Sequence, residues 1–217
     1  MTGIRPDICV SIGKISFEEI MALLPALKLA EIRIDLLTLS NEQLKQIFGL
    51  HKNLIATYRL KNNEFELMLN ILNDAIESGA SWVDVDIETP DEIIREIDAR
   101  AKSFKSKLII SYHNYHATPS ASSLNRVIEK AKTYNPTLTK IACMANTPND
   151  CTRMLSLYEN FSNILAFSMG QIGTITRIAA PFLGAPFTYA SLQGKLTAPG
   201  QLDYISLNNL LNTINPT

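Results

Sequence analysis

Glycine supplies only 9 of the 217 residues, cysteine 3, histidine 3 and tryptophan 1. The three cysteines, Cys9, Cys143 and Cys151, are odd in number and lack metal-ligand spacing. That excludes a zinc module and a disulfide-stapled mini-domain, and it fits reduced thiols in the cytoplasm. Cys9 and Cys143 stand in apolar runs and read as small core residues. Charge of one sign is missing too: 20 Lys and Arg face 21 Asp and Glu, a net charge of −1. No electrostatic footprint for nucleic acid or an anionic membrane surface follows from that balance. No apolar run approaches the length of a membrane span, and MTGIRPDICV lacks the apolar centre of a signal peptide. There is no low-complexity segment or long linker. The 46% hydrophobic and 19% charged content builds an ordinary core, read as a single domain over residues 1–217.

What is there is a regular alternation of strand and helix patterns. Strand-like runs fall at Ile4 to Ile12, Leu29 to Leu36, Asn53 to Tyr58 and Trp82 to Ile87. Four more follow at Leu108 to Tyr112, Leu138 to Met144, Asn163 to Phe167 and Pro186 to Ser191. Helical spacing or start signals separate them. Ser40 with Gln43 forms a capping-box pattern. Phe65, Met68, Leu69, Leu72 and Ile76 mark one helix face, with Gly79 beyond its end. Pro90 opens a helix to about Ala101, Ser120 opens the next, and Thr147-Pro148 starts one through Tyr158. A helix at Leu202 to Leu211 closes the chain. Eight β-then-α units imply a parallel sheet, and eight is the number that closes a (β/α)8 TIM barrel. An open doubly wound sheet is the alternative, but no GxGxxG turn follows the first strand.

Polar residues that look misplaced lie near strand C-terminal ends, where barrel active sites form. Lys140 is the only charge in the apolar run TLTKIACM. A strand lysine usually reaches water; one held in a buried strand with a depressed pKa is a nucleophile toward carbonyl carbon. The neighbouring strand ends in His113, an acid/base near neutral pH. Glu31, Arg33 and Asp35 alternate on the second strand and point to one face, either as an internal ion network or toward a ligand. Asp84, Asp86 and Glu88 alternate on the fourth, a pattern that leaves a magnesium site open. Arg33, Arg59 and Arg177 offer forks for a carboxylate. Together these imply a small, anionic, hydroxylated carbonyl compound. His116 competes with His113 on sequence alone, His51 reads as a solvated surface residue, and Tyr112 and Tyr115 as packing or lid residues.

With these motifs in order, EIRID, TYR, SYHNYHATP, KIACM, SMGQIGTITR and TAPGQ, the chain resembles the type I 3-dehydroquinate dehydratases over most of its length. The resemblance implies a (β/α)8 barrel that dehydrates 3-dehydroquinate to 3-dehydroshikimate through a lysine imine. It matches Lys140 to the imine-forming lysine and His113 to the general acid/base. It matches Arg177 and Gln201 to the groups that hold the substrate carboxylate and neighbouring oxygens. Glu31, Arg33 and Arg59 match those facing the ring hydroxyls. Thr197 stands for the serine common before APGQ and keeps the hydroxyl. No cofactor or metal is implied, and family members are often homodimers.

The chain departs from the family pattern in four places. The stretch after Arg59, LKNNEFE, lacks the family's glycine pair, and Glu64, the nearest carboxylate to orient His113, is off by one position. Thr197 replaces the serine before APGQ, Ala185 stands in FLGAP where a serine is usual, and Asp86 stands where the fourth strand often has glutamate. The QGKLTAPGQ segment combines Gly194 and Gly200 with substrate-facing residues and reads as a lid. A class I aldolase acting on a phosphorylated sugar, with phosphate at SMGQIG and Arg177, and a barrel that only binds its ligand are the competing readings.

Overall fold

The structure is a computed structural model that describes residues 6–60 and 63–214. Eight parallel strands follow one another around the sheet: β1 (Asp7–Ile12), β2 (Leu29–Arg33), β3 (Leu54–Thr57), β4 (Trp82–Asp86), β5 (Lys107–Asn114), β6 (Leu138–Met144), β7 (Ile164–Met169) and β8 (Phe187–Ser191). Their order is β7-β6-β5-β4-β3-β2-β1-β8, so each strand pairs with its sequence neighbour and β8 returns to β1. Helices α1 (Phe17–Leu23), α2 (Asn41–Leu50), α3 (Phe65–Glu77), α4 (Asp91–Ser103), α5 (Ala121–Lys132), α6 (Pro148–Leu155), α7 (Leu157–Asn160), α8 (Gly170–Ala179) and α9 (Tyr204–Ile214) fill the crossovers and the chain end. This is a nearly closed (β/α)8 TIM barrel.

The one unpaired seam, between β7 and β8, is closed by side chains. On the free edge of β7, the Tyr158 hydroxyl accepts from the Ala166 N–H at 2.8 Å and donates to the Ala166 carbonyl at 2.9 Å. The Ser168 N–H donates to Thr176 Oγ1 at 2.7 Å. Edge backbone groups are thereby satisfied without a ladder. Across the gap Phe167 packs on Tyr189 at 5.9 Å between ring centroids, and within β8 Phe187 meets Tyr189 edge-on at 5.5 Å.

Period-two alternation divides every strand between the barrel interior and the helix layer. Outward residues such as Val10, Ile32, Val83 and Ile110 pack under the helices. Inward residues begin apolar, with Cys9, Leu29, Ile55, Ile109, Leu138 and Leu165 plugging the lower barrel. Further along β1 to β6 the interior turns polar: Ser11, Glu31, Thr57, Asp84, Ser111 and Lys140 are all buried, while β7 stays apolar at Phe167. The apolar plug excludes water from below, and the polar layer above it is the floor of a cleft at the strands' C-terminal ends.

Several elements differ from the sequence reading. The second strand ends at Arg33, and Asp35 sits in a 3-10 turn (Ile34–Leu36) rather than on the strand. β5 runs on to Asn114, which places His113 inside the strand. β4 stops at Asp86, so Glu88 lies beyond the strand, exposed. The helix at Thr147-Pro148 breaks after Leu155 into α6 and α7. His51 is half-buried rather than solvated: its Nε2 lies 2.8 Å from the Leu27 carbonyl and Nδ1 accepts from the Asn53 N–H. Ile4 and Arg5, assigned to the first strand, lie outside the described residues. The Ser40–Gln43 capping box is present as read.

Candidate active site

Lys140 is 5% exposed, on the inner face of β6. It neither reaches water nor stands alone. Its Nζ donates to Asp84 Oδ2 at 2.9 Å, to Glu31 Oε1 at 3.3 Å and to the Tyr189 hydroxyl at 3.3 Å. The ammonium's three N–H groups thus meet three acceptors. It also lies over the Tyr189 ring, 4.4 Å from the centroid.

The two carboxylates are themselves fully engaged. Glu31 accepts from Ser11 Oγ at 2.6 Å, Thr57 Oγ1 at 3.1 Å and the Tyr189 hydroxyl at 3.3 Å. Burial pushes its carboxyl up, but Lys140 and Arg33 outweigh burial and bring it down to about 2. Asp84 accepts from Ser111 Oγ at 2.6 Å and is ion-paired to Arg59 at 2.6 Å. Burial again opposes its charge, and Arg59 and Lys140 hold it far below the carboxylate range. Arg59 answers in kind: burial alone would lower it, and Asp84 and Asp86 raise it.

His113 sits beside this network on β5. Its Nδ1 lies 3.0 Å from Asp86 Oδ2. Burial lowers its pKa, Arg59 lowers it further, and Asp86 works in the opposite direction without reversing the net fall. The ring is therefore neutral at pH 7. Tyr115 lies parallel to it, with centroids 6.1 Å apart. His116, the competing histidine, is exposed, with its backbone N–H on Asn114 Oδ1.

The three arginines differ in what they have left to offer. Arg33 is committed to Asp35 through Nε at 2.9 Å and Nη2 at 2.8 Å, leaving Nη1 toward the Thr197 carbonyl at 3.4 Å. Arg59 is ion-paired to Asp84, although its Nη1 and Nη2 have no hydrogen-bond partner among the described residues. Arg177 is 1% exposed, and its Nε and Nη1 have no hydrogen-bond partner among the described residues. Its single contact of that kind is Nη2 with the Pro199 carbonyl at 3.4 Å, and its guanidinium lies over Phe167 at 4.3 Å. Burial lowers Arg177 to about 10. A buried, unpaired guanidinium is costly, and an anion entering the cleft would satisfy it.

The loop after β8 roofs the cleft. Gln201 Oε1 accepts from the N–H groups of Thr197 and Ala198, each at 3.0 Å, which leaves its amide nitrogen free to donate. The Thr197 hydroxyl reaches Ser11 Oγ at 2.8 Å, and Ser11 donates onward to Glu31. The Gly170 N–H donates to the Pro199 carbonyl at 3.3 Å. Gly200 makes this docking possible: its φ is +72°, and a Cβ would stand 2.2 Å from the Gly170 carbonyl oxygen.

All eight residues singled out from sequence, Lys140, His113, Glu31, Arg33, Arg59, Arg177, Thr197 and Gln201, line one cleft. Tyr189 and Tyr115 line it too. Tyr189 was missed because one tyrosine in an apolar strand reads as packing. Tyr115, read as a packing or lid residue, borders the site. Glu64 does not orient His113: it is exposed, at the boundary of α3, and Asp86 holds the ring instead. Lys61 and Asn62 of the LKNNEFE stretch lie outside the described residues. The Asp84, Asp86 and Glu88 set does not converge as a cation site. Asp84 serves Lys140 and Arg59, Asp86 serves His113, and Glu88 lies exposed beyond the strand.

The family model of type I 3-dehydroquinase matches residues 8–217. The chain belongs to the type I 3-dehydroquinase family. A 3-dehydroquinate dehydratase of Methanocaldococcus jannaschii is 33% identical over 192 residues, covering 84% of this chain and 85% of the relative. One from Coxiella burnetii is 30% identical over 219 residues, covering 94% and 91%. The crystal structure of the type I enzyme from Clostridium difficile superposes with a TM-score of 0.84 at 23% identity, over 98% of this chain and 93% of that one. A structure of dehydroquinate dehydratase and shikimate dehydrogenase from S. pombe superposes at 0.83 and 22% identity, with 99% of this chain covering 46% of that one. At these identities the structural likeness concerns the barrel itself. Among the described residues no helix is long and apolar enough to cross a membrane.

Proposed function

We propose that this type I 3-dehydroquinase is a 3-dehydroquinate dehydratase that works through a Lys140 imine, with His113 as the acid/base. The observation that carries the reading is one cleft holding a buried lysine, a neutral histidine and an arginine with no anion of its own. The substrate carboxylate takes the free Nε and Nη1 of Arg177, with the Gln201 amide beside it. The ring hydroxyls face Glu31, Arg33 and Arg59, which are fixed by Ser11 and Thr57, by Asp35 and by Asp84.

Lys140 must shed a proton before it attacks. Glu31 and Asp84 are poor bases because their cationic neighbours hold them low, so neutral His113 receives the proton. Nζ then bonds to the ketone carbon; the carbonyl oxygen takes one proton from Nζ and the one held by His113 and leaves as water, giving a protonated imine and a neutral imidazole. That cation is the electron sink for the adjacent C–H bond. His113 removes this proton, and the electron pair moves into the enamine. As the enamine expels the β-hydroxyl, the imidazolium returns the proton to it and water departs. One residue acting at both positions implies syn elimination. Hydrolysis of the product imine frees 3-dehydroshikimate and Lys140, so no electrons are gained or lost overall.

Borohydride reduction during turnover, followed by peptide mass spectrometry, tests the reading. The expected result is one ligand-mass adduct on the peptide containing Lys140. Turnover with no adduct, or an adduct on another lysine, would contradict the assigned mechanism.

The remaining assignments follow the same reading. The barrel is one catalytic domain. A cytoplasmic enzyme fits three buried free thiols at Cys9, Cys143 and Cys151. A homodimer fits the apolar side chains exposed on α8, the 3-10 turn after it and α9, namely Ile172, Ile175, Phe182, Leu183, Ile205 and Ile214. Light scattering coupled to gel filtration is expected to give twice the chain mass of 24.1 kDa, and a 24.1 kDa species at micromolar concentration would refute it.

A further inference from the structure

β4 carries two carboxylates two residues apart on its inner face, and each reaches a different reactive side chain. Asp84 takes the Lys140 ammonium, two strands away on β6. Asp86, one pleat higher, takes the histidine of the adjacent strand β5. We propose that Asp86 is the positioning residue of His113, fixing the ring so that Nε2 faces the substrate as the proton acceptor. This rests on His113 being the acid/base of the dehydration.

Three observations carry it. The Nδ1 to Oδ2 distance of 3.0 Å is a hydrogen bond in which an ionised carboxylate can only accept, so Nδ1 bears the proton and Nε2 the lone pair. The carboxylate is itself braced, because its Oδ1 accepts the Glu88 N–H at 3.1 Å in the turn that ends β4. Tyr115 covers the ring's face, which leaves rotation opposed by both the bond and the stack. Glu64 has none of these relations to the ring.

The charges around His113 give Asp86 a second role. Arg59 from β3 and Lys140 from β6 both disfavour an imidazolium, and Asp86 favours it; Asp84 from β4 is committed to those two cations. As the C–H proton moves to His113, the imidazolium forms against the Arg59 guanidinium and against the iminium charge that fades only as the enamine forms. Asp86 is the carboxylate bonded to the ring that offsets them. Removing it therefore makes His113 a weaker base as well as a disordered one.

The test uses the whole chain labelled with 15N-histidine, with ring nitrogens assigned by NMR alongside kcat and KM across pH. In the unsubstituted protein Nδ1 is expected to carry the proton. In Asp86→Ala the tautomers are expected to mix, and kcat to fall about 100-fold with KM nearly unchanged. The acid limb of the kcat profile is expected to move to lower pH, because the group that raised the His113 pKa is gone. Asp86→Glu is expected to recover the tautomer and part of the rate, and Glu64→Gln to leave all of these unchanged. If alanine prevents folding, Asp86→Asn keeps the volume and removes the charge, and the acid limb still moves. An unchanged tautomer and acid limb in the Asp86 variants, or their change in Glu64→Gln, would overturn the proposal. An unsubstituted chain with Nδ1 protonated and no turnover would count against the dehydratase reading and leave Asp86 as the ring's anchor.

Discussion

Lys140→Ala is expected to lower turnover of 3-dehydroquinate by at least about 10⁴-fold and to abolish the borohydride adduct. Without the amine no imine forms, and the proton next to the ketone is too weakly acidic for an imidazole to remove. Loss of folding is not the cause to expect, since Asp84 keeps Arg59 and Ser111, and Glu31 keeps Ser11, Thr57 and Tyr189. Removing one member of a buried ion cluster still costs about 3–5 kcal/mol. The pH dependence of that cost follows from Glu31, whose folded pKa is about 2 against an ordinary 4.5. A lowered carboxylate stabilises the fold above pH 4.5 and loses that contribution as pH falls toward 2. The stability gap between the two proteins is therefore largest near neutrality and narrows in acid, which urea unfolding at several pH values would measure. Retained turnover in Lys140→Ala would rule out the imine route.

For His113→Ala the expected pattern is different. Loss of general acid/base catalysis costs about 10²–10⁴-fold, and the upper end applies because the residue acts on both the C–H and the departing hydroxyl. Buffer bases can accept the Lys140 proton slowly, so the imine still forms and then stalls. Borohydride is expected to label Lys140 in this variant even though dehydration has nearly stopped. In the unsubstituted enzyme the lowered His113 pKa sets the acid limb of kcat/KM below the ordinary 6.5. The base is neutral above that limb and is lost as pH falls through the folded value. Stability moves the same way, because the unfolded chain binds this proton more readily and gains from it below pH 6.5. A limb at or above 6.5, or an unlabelled but stable variant, would contradict this assignment.

The barrel was legible because each of its eight strands is a short apolar run bounded by helix signals, and parallel strands buried on both faces carry little else. The break at Leu155 was not, since α6 and α7 share one helical pattern and Ser156 between them keeps αR backbone angles. Strand ends were the least accurate: Asp35 alternates with Arg33 as a strand residue would, yet it turns back in a 3-10 turn to clamp the arginine.

Sequence alone picked out eight of the side chains that line the site, though not Tyr189. A lysine in a run like TLTKIACM, or a histidine at the end of an apolar strand, is a chemical anomaly visible without coordinates, and barrel topology delivers every strand's C-terminal end to one mouth. Tertiary structure decided what each charge does there. Lys140 rests against Glu31, Asp84 and Tyr189 from three other strands, Arg59 is neutralised by Asp84, and Asp86 rather than Glu64 holds His113. Lys140 and Glu31 are 109 residues apart in the chain, and His113 and Asp86 are 27 apart. Ion pairing depends on distances of about 3 Å set by strand register and tilt, and one-dimensional spacing carries no record of them.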